Sequence, residues 1–152
     1  MLPRTGLAII VFIALITPIA HVRADNDVSY IVSPETKKLN MPFSDAVRVN
    51  NMIYLSGQLG VEPETFKLIA GGIESETHQI FSNMKSVLEN NGSSLSRIVK
   101  CTVVMADIAE WPRFNEIYVT YFPENKPARS AFGAAGLALG GRVEMECWAV
   151  VD

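Results

Sequence analysis

Between Arg142 and Val151 every odd position (Val143, Met145, Cys147, Ala149, Val151) is apolar, the period-two signature of a strand with one buried face. The even positions carry Glu144 and Glu146 and then Trp148 and Val150, so the other face is acidic at one end and apolar at the other. Similar patterning places a short strand at Val28 to Ser33, a second at Val47 and Val49, and a third at Met52 to Leu55 after the turn-prone pair Asn50-Asn51. Ile73, Thr77, Ile80, Met84, Val87 and Leu88 recur with helical spacing, and Asn91-Gly92 supplies a stop. "RIVKCTVVMADI" reads as a β-branched strand. Asp107 with Glu110 resembles a capping box, and Pro112 fits the first turn of a helix presenting Trp111, Phe114, Tyr118, Tyr121 and Phe122 and stopping at Pro123. A short strand near Ser130 to Phe132 precedes the last one.

The order ββ(β)αβαββ is that of an α+β fold with a mixed sheet and both helices on one face. Several strands are apolar on both sides: Ile53 and Leu55 against Met52 and Tyr54, and Val99, Cys101 and Val103 against Ile98, Thr102 and Val104. Helices cover only one face, so the other predicts a homo-oligomer whose sheets pack together.

The first 24 residues change the count. Arg4, an apolar run from Leu7 to Ala20 and the small residues Val22 and Ala24 match a signal peptide cleaved before Asp25, leaving one domain over 25–152. The run is shorter than the roughly 20 residues a membrane span needs, which disfavours an uncleaved anchor. The expectation is an exported protein, periplasmic or secreted, with no membrane contact after cleavage. Without Arg4 and Arg23 the domain holds 11 basic against 16 acidic residues, a net charge of −5. Such a domain lacks the field that draws phosphate backbones, so nucleic acid is not an expected partner. Cys101 and Cys147 are the only cysteines, and an exported pair leaves a disulfide and two buried thiols both open. Their wide spacing and the absence of a histidine near either in sequence disfavour a metal.

Few groups remain that could carry chemistry. Arg129 follows Pro127 at the start of a strand, where a guanidinium could hold a carboxylate bidentately; a surface arginine is the plain alternative. Glu144 and Glu146 share a strand face, where paired acids could divide proton-transfer work or simply face water. Asn115 lies mid-helix among aromatics, and Ser56-Gly57-Gln58 ends a strand where bare backbone could meet a ligand. His78 reads as a solvated helix residue, and a nucleophilic triad is disfavoured.

"PFSDAVRVNNMIYLSGQLG", the segment from Gly71 to Phe122, "PARSAF" and "VEMECWAV" together resemble the RidA/YjgF family of reactive-intermediate deaminases, in register from about Pro42 to Val151. The resemblance implies a chorismate-mutase-like fold, a homotrimer with a central barrel, and clefts between subunits. It implies a cofactor-free hydrolase that turns 2-imino or enamine acids into 2-keto acids and ammonia. By the same resemblance Arg129 binds the substrate carboxylate, Glu144 positions water, and Asn115, Ser56 and Gly57 line the cleft. Phe43 stands where tyrosine is common and Ala131 where cysteine is common. Phe43 still walls the cleft without a hydroxyl, and Ala131 offers a backbone N–H without a thiol. Glu146 is then expected to be a structural partner. A non-catalytic module binding small carboxylates is the competing reading, with endoribonuclease or translation-inhibitor activity a third.

Overall fold

A computed structural model describes residues 27–151; the expected signal peptide at 1–24 lies outside the described residues. The elements are β1 (Val28–Ile31), α1 (Pro34–Lys38), β2 (Ala46–Val49), β3 (Met52–Leu55), β4 (Gln58–Leu59), α2 (Gly72–Glu89), β5 (Ile98–Met105), α3 (Trp111–Tyr121), β6 (Ala128–Gly133) and β7 (Val143–Val150). They form one seven-stranded sheet in the order β1-β2-β3-β7-β5-β6, with β4 also pairing with β7. Only β5 and β6 run parallel, with α3 as their crossover. The result is the α+β fold expected from the order of elements.

The odd residues of β7 through Ala149 are fully buried, and with Ile53, Leu55, Cys101, Val103 and Met105 they form the sheet side of the core. Ile73, Ile80, Phe81, Met84 and Leu88 of α2 and Phe114 and Tyr118 of α3 cover that face. Burying a phenyl ring such as Phe81 or Phe114 contributes about 1.5–3 kcal/mol. The other face stays open. Tyr54 and Trp148 meet edge to face there, with ring centroids 5.3 Å apart, and Trp148 remains 41% exposed.

Several expectations need correction. Val99 does not share a face with Cys101 and Val103: a bulge between Ile98 and Lys100 turns Ile98 into the core and leaves Val99 exposed. The choice left open for Cys101 and Cys147 falls to the disulfide: they lie directly opposite each other in β5 and β7 and are joined inside the core. The capping box does not close. The Asp107 carboxylate accepts from the Ala109 N–H, but Glu110 pairs with Arg142. Within the chain Glu146 is exposed on the open face opposite Thr102 and makes no hydrogen bond or ion pair among the described residues. The short elements α1 and β4 add to the expected set.

Candidate active site

The parallel pairing of β6 with β5 places Arg129 beside Cys101 and Ala131 beside Val103, hence on the helix-covered face. There Arg129 meets α3. Its guanidinium carbon lies 4.4 Å from the ring centroid of Trp111, 4.3 Å from that of Tyr118 and 5.8 Å from that of Phe114. Aromatic faces attract a cation through their quadrupoles, so the cage orients Arg129 without neutralising it. No carboxylate pairs with it among the described residues, and its buried Nη1 has no hydrogen-bond partner. Trp111, Asn115 and Tyr118 follow one stripe of α3, at positions i, i+4 and i+7. The Asn115 Oδ1, an acceptor, is also buried without a partner, and the buried Tyr118 hydroxyl has only the Arg129 guanidinium beside it. Leaving such groups unpaired costs about 1–3 kcal/mol each, and an anion with its own polar atoms could recover that cost. Burial pushes the Tyr118 phenol above its usual pKa, and the adjacent Arg129 charge opposes the rise.

A second cluster occupies the opposite side of the sheet. Glu144 pairs in register with Val104 of β5, which in turn faces Phe132 of β6. Its carboxylate lies over Gly57: a Cβ built there would stand 2.1 Å from Oε1. Only the missing side chain lets the acid sit against this backbone. The segment is held from both sides. Ser56 donates its N–H to the Asp45 carbonyl and its hydroxyl to the Ser44 carbonyl, at 3.0 and 2.6 Å. From α2, the buried Asn83 Nδ2 donates to the Val61 carbonyl at 3.0 Å and more weakly to that of Leu59. Gly60 fits against the Glu76 backbone, where a Cβ would come within 2.5 Å of the Cα. Glu76 is itself buried and accepts the Arg142 N–H at 2.7 Å, anchoring the start of β7 two residues before Glu144. Phe43, next to Ser44, is exposed on the wall of an open depression that Val32, Met41 and Ser44 also line.

The structure thus sorts the expected residues into two groups. Arg129, Asn115 and Ala131 belong to one; Glu144, Gly57, Ser56 and Phe43 belong to the other. From the strand spacings, the Cα atoms of Arg129 and Glu144 are roughly 14 Å apart, and their side chains leave opposite faces. Trp111 and Tyr118 were missed as site residues because aromatics at helical spacing read as core. The signal was available in their spacing on the helix that precedes the arginine strand. Among the described residues no three His, Cys, Asp or Glu side chains stand close enough to hold a metal.

Comparisons with known proteins identify the family. The family model "Endoribonuclease L-PSP" matches residues 35–151. "Reactive Intermediate Deaminase A, chloroplastic" of Arabidopsis thaliana is 42% identical over 110 residues, covering 72% of this chain and 59% of that protein. The Homo sapiens protein named 2-iminobutanoate/2-iminopropanoate deaminase is 42% identical over 109 residues, covering 72% of this chain and 80% of the relative. Among solved structures, RidA from an Antarctic Psychrobacter superposes with a TM-score of 0.69 at 39% identity, covering 72% of this chain and 89% of the other. The YjgF gene product of E. coli gives 0.68 at 32%, covering 72% and 88%. With its fold and a family match over most of its length in agreement, the chain belongs to the Endoribonuclease L-PSP family, the RidA/YjgF proteins.

Proposed function

We propose that this protein hydrolyses 2-imino or enamine acids to 2-keto acids and ammonia, at a site shared between two copies of the chain. The caged Arg129, with the buried unpartnered Asn115 Oδ1 and the Tyr118 hydroxyl along the adjoining helix, carries the reading. An orienting cation whose Nη1 donor is unpaired is what a small carboxylate requires, while the Asn115 Oδ1 is an acceptor suited to the N–H of the imine or enamine group. Arg129 grips the carboxylate and Tyr118 donates to it, which fixes the C=N carbon in place. Glu144 accepts a proton from water as the water oxygen bonds to that carbon, and hands this proton to the imine nitrogen. The tetrahedral intermediate then breaks its C–N bond. Glu144 takes the hydroxyl proton and passes it to the nitrogen, which leaves as ammonia while the hydroxyl oxygen becomes the keto oxygen. No electrons change hands, so the protein's own side chains suffice.

Because Arg129 and Glu144 leave opposite sheet faces, the reading has Arg129 of one copy meeting Glu144 of a neighbour. The open face bearing Tyr54 and Trp148 supports association, and the family resemblance points to a trimer. The buried disulfide fits export to an oxidising compartment, as the N-terminal sequence suggests.

The test generates 2-iminopropanoate from alanine with an amino-acid oxidase and follows keto-acid release. The protein should accelerate release, and Arg129→Ala should abolish the gain; no acceleration, or equal acceleration by the variant, refutes the proposal. The absent hydroxyl at Phe43 favours one competitor, binding without turnover, which would appear as calorimetric binding of 2-keto acids by a protein inert in that assay. An RNA-cleavage assay addresses the family's other name, and the negative charge predicts no cleavage.

A further inference from the structure

Beside the Arg129 cage lies an open cavity of about 430 Å³ lined by Ile108, Ala109, Trp111, Pro112 and Ala131. None of these residues bears a charge, and the volume falls within the usual range for small-ligand sites. Two features tie it to the arginine. Ala131 lies two residues beyond Arg129 on the same strand face, roughly 7 Å along it. Trp111 both stacks on the guanidinium and lines the cavity. A 2-imino acid whose carboxylate rests on Arg129 can therefore direct its side chain along β6 over Ala131, whose single methyl leaves the space empty.

We propose that this cavity is the side-chain subsite of the enzyme. It selects 2-imino acids with branched aliphatic or aromatic side chains, of leucine or phenylalanine size, over those with a methyl or ethyl group. The inference rests on the deaminase reading and adds its substrate class. Each methylene moved from water into an apolar site contributes about a fourfold factor in binding. A leucine-derived side chain adds three carbons to the methyl of the alanine-derived imine. With an open rim and the cost of fixing rotamers, about tenfold of that potential should remain. Contacts far from the reacting carbon act alike on ground and transition states, so the preference should sit mainly in KM.

The experiment compares kcat/KM for imines generated from alanine, 2-aminobutyrate, leucine and phenylalanine with the full-length protein. The leucine-derived imine should exceed the alanine-derived one by about tenfold or more. Ala131→Leu, which fills the cavity, should bring that ratio to about one or below, whatever it does to the absolute rates. Ile108→Gln, at a residue 51% exposed and so tolerant of a polar side chain, should also lower the ratio. Equal turnover of small and large imines, or a ratio unmoved by both variants, overturns the subsite while leaving the deaminase standing. If no imine is turned over, the deaminase reading fails and calorimetry decides the subsite. Tenfold tighter binding of 4-methyl-2-oxopentanoate than of pyruvate then supports it; equal binding, or none, overturns it.

Discussion

Gly57→Ala isolates the placement of Glu144 from the stability of the fold. Gly57 is not among the residues with positive φ, so its backbone accepts alanine without strain. The new methyl, however, would lie 2.1 Å from the Glu144 Oε1 and 3.0 Å from its Cδ. Ordinary contact between such atoms is about 3.4 Å or more, so the carboxylate must retreat by about 1.3 Å. It can do so, being the end of a flexible side chain, and alanine also stiffens the unfolded chain by about 0.4–1 kcal/mol. Thermal unfolding should therefore move by only a few degrees. The rate should not be spared: a shift of about 1 Å in a reacting group can cost about a hundredfold, near 2.7 kcal/mol in the barrier. Steady-state assays on 2-iminopropanoate, a melting curve and a crystal structure of the variant measure all three quantities. A variant that keeps more than about a third of wild-type kcat, with Glu144 visibly displaced, would refute the assignment of Glu144 as the group that aligns water.

Glu144→Gln should lower kcat by about 10²–10⁴-fold with KM little changed, because the amide keeps the shape and loses the base; steady-state kinetics report it. Replacing both cysteines by alanine opens a cross-link between residues 46 apart, which should remove about 4 kcal/mol of stability and lower Tm by roughly 15 °C in a thermal melt. Burial raises the pKa of Tyr118 and Tyr121, so the native state holds these protons more tightly than the unfolded chain does. Their stabilising contribution is fully present below about pH 10 and is lost as pH rises beyond it; Tyr118→Phe should flatten part of that decline in denaturant titrations.

Much of the fold is legible in local pattern. The alternation in β7 names its buried residues because acids interrupt the other face, and the apolar rhythm from Ile73 to Leu88 names the core stripe of α2. Where both neighbours are apolar, alternation carries no such information. Ile98-Val99 gives no hint of the bulge that turns Val99 outward. The disulfide depends on the register of β5 against β7, a pairing between distant segments that neither cysteine's surroundings encode. The same limit applies to the site. Motif resemblance names Arg129 and Glu144, but only sheet register shows that they leave opposite faces. Gly57 is legible as a motif glycine, while its reason, the carboxylate lying over it, exists only in three dimensions. Tyr118 and Trp111 serve the core and the arginine cage together, and helical periodicity reveals only the first duty.

The central claim is that catalysis needs Arg129 from one copy and Glu144 from another, and subunit complementation tests it most directly. Arg129→Ala and Glu144→Gln proteins, each inactive alone, are mixed in equal amounts, unfolded with the disulfide intact, and refolded together. In a closed ring of randomly mixed copies, about a quarter of the interfaces join an intact arginine to an intact glutamate, whatever the number of subunits. Recovery of about 25% of wild-type 2-iminopropanoate hydrolysis is expected. A mixed preparation no more active than either parent, although fully folded and assembled, would contradict the claim.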